Sequence, residues 1–253
     1  MMVFYKKQRN WNKVTSVNQS EIKAAEFIGN VFRRSFEHVR VLTGVVLPLP
    51  EGSTIATAEF DCIVVCESGI YLFEIKGWNH CQIVREKVED KNYWHLVQTD
   101  GRAVKVSDPV YQGVQKLMAL KTYIGSKVLI KSFVFTPGMD VHHSPKMPTS
   151  VLTAQDLPYA IRVCRANFKK SKNVVPLDQE TVGIVVALIE EMSEGHTLDA
   201  HIANCEARGV IKKEKMKAKL EAEKQSELAC TLAAVSPAVK ELSEDFSEAT
   251  HWQ

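Results

Sequence analysis

The sequence predicts a mixed α/β fold, of the α/β or α+β layered kind: a mixed β-sheet flanked by helices, with a helical C-terminal extension. Three observations lead there. Apolar residues recur at helical spacing over residues 20–39, with Ile22, Ala25, Ile28, Val31 and Phe32 on one face. Apolar runs of strand length at 39–47, 60–66, 70–76 and 128–137 are punctuated by Pro48, Pro50, Gly69 and Pro137. Helices and strands then interleave in the order α-β-β-β-α-β-α-α, which suits a sheet covered by helices.

The elements follow in turn. Ser20 is placed to cap the first helix. Two strands at 60–66 and 70–76 flank Glu67-Ser68-Gly69, a tight turn that makes them antiparallel neighbours. Weaker strands are expected at 80–85 and 93–98. Ser107-Asp108-Pro109 is a strong helix start, because Asp108 can cap and Pro109 has no N–H to leave unsatisfied. That helix is expected over 109–124, with Val110, Val114, Leu117 and Leu120 inward. A core strand at 128–137, a short strand at 149–152, and helices at 155–165 and 177–192 complete the core. The segment GMDVHHSPKMP reads as a loop, with His142 and His143 at the surface.

Composition shifts beyond Thr197, where Lys, Glu and Ala dominate. The division expected is a core domain over 18–195 and a helical extension over 196–253 whose end, from 235, is disordered. The run IKKEKMKAK at 211–219 has interleaved Glu and reads as a solvated face.

Over all 253 residues the formal net charge is +2, so nucleic-acid binding requires a local basic surface. No apolar run approaches the roughly 20 residues of a membrane span, and MMVFYKKQRNWNKV has no signal-peptide h-region. The six cysteines include no CxxC pair, which argues for reduced thiols and against a zinc site. A cytoplasmic location is the expectation.

The stretch EFDCIVVCESGIYLFEIKGW carries the chemistry. Asp61 opens one strand, and Glu74 and Lys76 close its partner, so the hairpin brings all three to one end. Glu74 and Lys76 are two apart and project together. Two carboxylates, with the backbone carbonyl of Ile75, make a hard oxygen site of the kind Mg²⁺ prefers. A lysine beside such a site can position or help deprotonate a water, whose pKa the ion lowers.

Asp61, then Glu74-Ile75-Lys76-Gly77-Trp78, resembles the nuclease-related domain, NERD, of the PD-(D/E)xK or restriction-endonuclease-like superfamily. Asp108-Pro109-Val110-Tyr111-Gln112 is similar to that family's N-P-x-x-Q helix start, with Asp in place of Asn. The likeness spans about residues 20–135. It implies a restriction-endonuclease-like sheet and a metal-dependent nuclease acting on DNA, or RNA, in a setting such as bacterial defence or mobile elements. By the same likeness Asp61 and Glu74 hold Mg²⁺ (or Mn²⁺), with Ile75 contributing its carbonyl. Lys76 positions the attacking water, and Gln112 supports that lysine or the phosphate. Glu26, or alternatively Glu21, completes the acidic end. The family's superfamily also contains silent members, so a binding module without cleavage is the alternative. A homodimer, or a protein partner docking through the C-terminal helix, is the expected assembly.

Overall fold

The computed structural model describes residues 16–51, 53, 55–88, 91–145, 147–170 and 174–207. The basic run at 211–219, the expected disordered end and Cys230 lie outside the described residues.

The first helix, α1 (Ser16–Arg33), buries Ala24, Ala25, Ile28, Val31 and Phe32, the stripe its spacing predicts. It starts before Ser20 and stops well short of residue 39. The backbone N–H groups of Ser35 and Phe36 both return to the Phe32 carbonyl, closing the last turn, and Phe36 enters the core.

A three-stranded meander follows: β1 (Arg40–Pro48), β2 (Thr57–Cys66) and β3 (Gly69–Ile75), antiparallel throughout. The β2–β3 turn needs Gly69, whose φ is +125° and whose missing Cβ leaves room for the Leu129 backbone. The turn is not a solvent loop. Ser68 is fully buried, bonded to Tyr71 Oη at 2.8 Å, while the Glu67 carboxylate accepts from the backbone N–H of Glu37 and His38.

The chain then leaves this sheet to build a second one from β4 (Cys81–Val88), β5 (Lys91–Gln98) and β6 (Ala103–Ser107). Helix α2 (Pro109–Ile124) leads back to β7 (Ile130–Thr136), which pairs parallel with β3. Two short strands, β8 (Val141–His143) and β9 (Val151–Thr153), pair parallel with β4 and β7. The sheets are therefore two, ordered β1-β2-β3-β7-β9 and β6-β5-β4-β8, where the sequence predicted one. The segment read as a loop around His142 contributes β8, and half-buried His143 meets Thr136 Oγ1 at 3.3 Å.

Helices α3 (Leu157–Lys170), α4 (Gln179–Met192) and α5 (Leu198–Ala207) complete the described chain. None of the described helices is long and apolar enough to cross a membrane. The five-stranded sheet is covered on both faces. On one, α1 and α3 pack on Cys62, Val64, Tyr71, Phe73 and Phe133. On the other, α2 and α4 bring Leu120, Val182, Val186 and Ile189 against Ile63, Val65, Ile70 and Leu72. Trp94 and Ile83 centre a third cluster that seats the second sheet on Val134 and Val151. Trp78 packs there too, its ring centroid 6.0 Å from that of Trp94. The five described cysteines are buried free thiols, and burial pushes the Cys66 thiol up to about 11.

Candidate functional site

The site forms where the β2–β3 pair ends. The β2–β3 ladder ends at the Cys62–Phe73 pair, so Asp61 and Glu74 are the first residues beyond it. There the ladder changes character: the Ile75 N–H donates to Asp61 Oδ2 at 2.7 Å, so a side chain replaces the backbone acceptor. The pleat also shifts at this point. Side chains facing the α2/α4 core are Ala58 and Phe60 before Asp61 but Ile63 and Val65 after it. Across from Asp61 in β1 sits Gly44, with φ +57°, flanked by the pairs Thr43–Cys62 and Val45–Phe60. A glycine accepts that backbone without a Cβ penalty, so both strands kink together.

Glu74 lies in a strand whose seven residues are all buried, and it is 6% exposed. Burial of a carboxylate requires partners, and two ammonium groups supply them. Lys76 Nζ donates to Oε1 at 2.7 Å. Lys116 Nζ, from α2, donates to Oε2 at 2.5 Å and lies 3.8 Å from Asp61 Oδ1. Burial pushes the Glu74 carboxyl up, but Lys116 and Lys76 outweigh it and hold the group below the usual carboxylate range. Asp61 goes the other way. Its burial, with Glu74 beside it, raises its pKa despite the attraction of Lys116. The Lys116 amine, which burial alone would lower, is pushed up by Asp61 and Glu74.

Of the residues singled out in the sequence, Asp61, Glu74 and Lys76 are together. Ile75 meets the site through its N–H, which donates to Asp61 Oδ2. Gln112 places its Nε2 on Ser107 Oγ at 3.3 Å, beside the cap of α2. Glu26 is exposed. Glu21 is the upstream acid that shares the field of the site: its pKa is raised by burial first and by Asp61 next, with Lys76, Glu74 and Lys116 also acting on it. The two are separated by about 140° around α1, so only one can face the carboxylates.

Lys116 was not anticipated. The face of α2 turned to the sheet carries Pro109, Gly113 and Leu120, whereas Val114, expected inward, is 46% exposed. Lys116 follows the i, i+4, i+7 line from Pro109 through Gly113. The α2 cap holds as predicted, with Asp108 Oδ1 accepting from Val110 N at 2.8 Å and from Tyr111 N at 3.3 Å. Gly113 lies against Ser132 of β7, so the helix approaches closely enough for Lys116 to reach Glu74. From α5, His201 Nδ1 meets Thr57 Oγ1 at 2.8 Å; burial, then the charge of Lys116, lowers the imidazole pKa.

Two carboxylates with a cation already drawn between them fit a hard divalent ion, which takes one or two carboxylates and completes its shell with water and phosphate oxygens. Among the described residues no three His, Cys, Asp or Glu are gathered to hold a metal.

Residues 16–137 match the family model described as nuclease-related domain, NERD, a span that holds Glu21, Asp61, Glu74, Lys76, Gln112 and Lys116. No curated protein matches the chain in sequence. A solved structure described as a protein of unknown function, AF1548, aligns over 70% of this chain and 98% of its own, at 10% identity and a TM-score of 0.27. That likeness is too loose to carry an argument.

Proposed function

We propose, from the match of residues 16–137 to the nuclease-related domain family model, that this chain is a Mg²⁺-dependent phosphodiesterase that cuts nucleic acid, DNA in the first instance. The observation that carries the reading is the gathering of Asp61 and Glu74 about the Lys116 ammonium, with Lys76 bonded to Glu74 Oε1. When bound, the ion would supply a water of lowered pKa and neutralise charge on the phosphate. Asp61 and Glu74 would hold it. The Ile75 N–H holds Asp61 Oδ2, and the other oxygen, Oδ1, lies toward Lys116. Lys76, on the more exposed side of Glu74, orients the attacking water by hydrogen bonding and steadies its developing negative charge. As the water oxygen bonds to phosphorus it would give up its proton to solvent, and the P–O ester bond would break with the leaving oxygen taking a proton from solvent. Glu21 adds negative charge at the same end, which favours cation uptake and disfavours an unaccompanied phosphate.

The test is incubation of the purified chain with supercoiled plasmid in Mg²⁺ or Mn²⁺. The parent is expected to nick or linearise it, with Asp61→Ala inactive. Lys76→Met is expected to fall roughly a hundred- to a thousand-fold, the usual weight of one preorganised donor aimed at developing charge. A parent without cleavage under either ion contradicts the reading.

A second reading, a silent binding module, is favoured by one observation: both oxygens of Glu74 are already engaged by lysine ammonium groups. It predicts nucleic-acid binding that survives Asp61→Ala and Lys76→Met, with no cutting by any form.

A further inference from the structure

Lys116 takes on a role of its own at this site, one that rests on the metal-dependent reading above. Its ammonium lies between Glu74 Oε2 and Asp61 Oδ1, at 2.5 and 3.8 Å, where an ion bridging those carboxylates would sit. This is not a surface lysine caught in passing. Its side chain is 17% exposed, and Nζ stands 5.8 Å from the Phe60 ring centroid. The close approach of α2 at Gly113 delivers it. Lys76 differs: among the described residues its ion pair is with Glu74, at the other oxygen, and its side chain is 28% exposed. A divalent ion and an ammonium cannot share one slot, because like charges a few ångströms apart repel strongly where water is scarce.

We infer that Lys116 is a tethered counter-cation that occupies the metal slot of the metal-free protein, so that loading is an exchange in which the ion enters as the ammonium swings out. The device has two physical consequences. Without metal, it keeps two juxtaposed carboxylates from repelling each other, so the slot stays formed. During loading, the ion must displace an ion pair already made, which weakens its apparent affinity. The lysine stem is flexible and remains anchored on α2, so the displaced ammonium stays at the rim of the site, where a phosphate oxygen can take it up.

The test is Mn²⁺ binding to the full chain by calorimetry, with no nucleic acid present. A chain that binds Mn²⁺ with the expected ranking of variants, yet cuts nothing, would overturn the nuclease reading and leave this inference standing. Lys116→Met removes the charge and keeps most of the stem. It is expected to bind Mn²⁺ roughly tenfold more tightly than the parent or better, and to gain more in melting temperature on Mn²⁺ addition. Lys116→Arg, which keeps a cation, is expected to bind no more tightly than the parent, and Lys76→Met to gain less than Lys116→Met. Equal or weaker binding by Lys116→Met overturns the inference. So does an equal gain in Lys116→Arg, or the absence of Mn²⁺ binding from parent and Lys116→Met alike. Should Lys116→Met unfold without metal, Lys116→Gln serves the same comparison. Refolding of either by Mn²⁺ supports the exchange, and failure of Mn²⁺ to restore both contradicts it.

Discussion

Asp61 and Glu74 face each other with the same charge, yet their pKa values move in opposite directions. Glu74 is lowered because, against its burial, Lys116 and Lys76 both hydrogen-bond to it. It therefore contributes stability that is present above its unfolded pKa and lost as pH falls through the folded one. Asp61 is raised by burial and by Glu74, so its ionisation opposes folding at neutral pH. Asp61→Asn keeps an oxygen that can accept from the Ile75 N–H and removes the charge. The metal-free variant is expected to melt higher than the parent at pH 7, on the order of 2–4 °C for a chain of this size. The difference should shrink as pH falls through the carboxylate range, where the parent's Asp61 is protonated too. A lower melting temperature at pH 7 would mean that the attraction to Lys116 outweighs desolvation. At this scale the sequence was legible where types and spacing carry the chemistry: an acid, then E-x-K on a hairpin. It was silent where a long side chain travels. Lys116 reads as one lysine among many on a helix, and only the line through Gly113 hints that it faces inward. Glu21 and Glu26 looked interchangeable because their phase depends on where the helix sits on the sheet.

Helix α2 is the element that assembles the site, and its fit against β7 is set by a residue without a side chain. A Cβ at Gly113 would collide with Ser132 Oγ, while the Ser132 Cβ lies at ordinary contact distance, 3.5 Å. Gly113→Ala alone is expected to lose about 1–3 kcal/mol by overpacking and to weaken cleavage by drawing Lys116 off Glu74. In a Ser132→Ala background the same change should cost much less, a coupling that a double-mutant cycle of denaturant unfolding reads directly. Additive losses would show that Gly113 matters for some reason other than this contact. The start of the helix was predictable to the residue, because Asp108 and Pro109 are local signals, and its end falls at Ile124, about where it was expected. The elements missed were those without local signals. Strand β8 has three residues and no alternation of its own, and its pairing partner lies some sixty positions earlier. The two-sheet arrangement escaped for the same reason: strand runs report that strands exist, and their long-range pairing decides how many sheets they make.

Across the whole molecule, the five-stranded sheet gives the chemistry a rigid support. Packed helices cover both faces, and the aromatic layer of Phe32, Tyr71, Phe73 and Phe133 lies behind β3 on the face away from α2. The carboxylates therefore sit at the end of core strands, where the backbone can move little, and a helix lysine closes the third side. Such a frame makes a definite claim about where a cation goes. The measurement that tests it most directly is the anomalous scattering of Mn²⁺ in crystals of the full chain grown with that ion. The account predicts one strong peak within coordination range, roughly 2.0–2.3 Å, of both Asp61 and Glu74 carboxylates, with the Lys116 ammonium withdrawn from Glu74. Carboxylates still bridged by Lys116, with manganese elsewhere or nowhere, would contradict it.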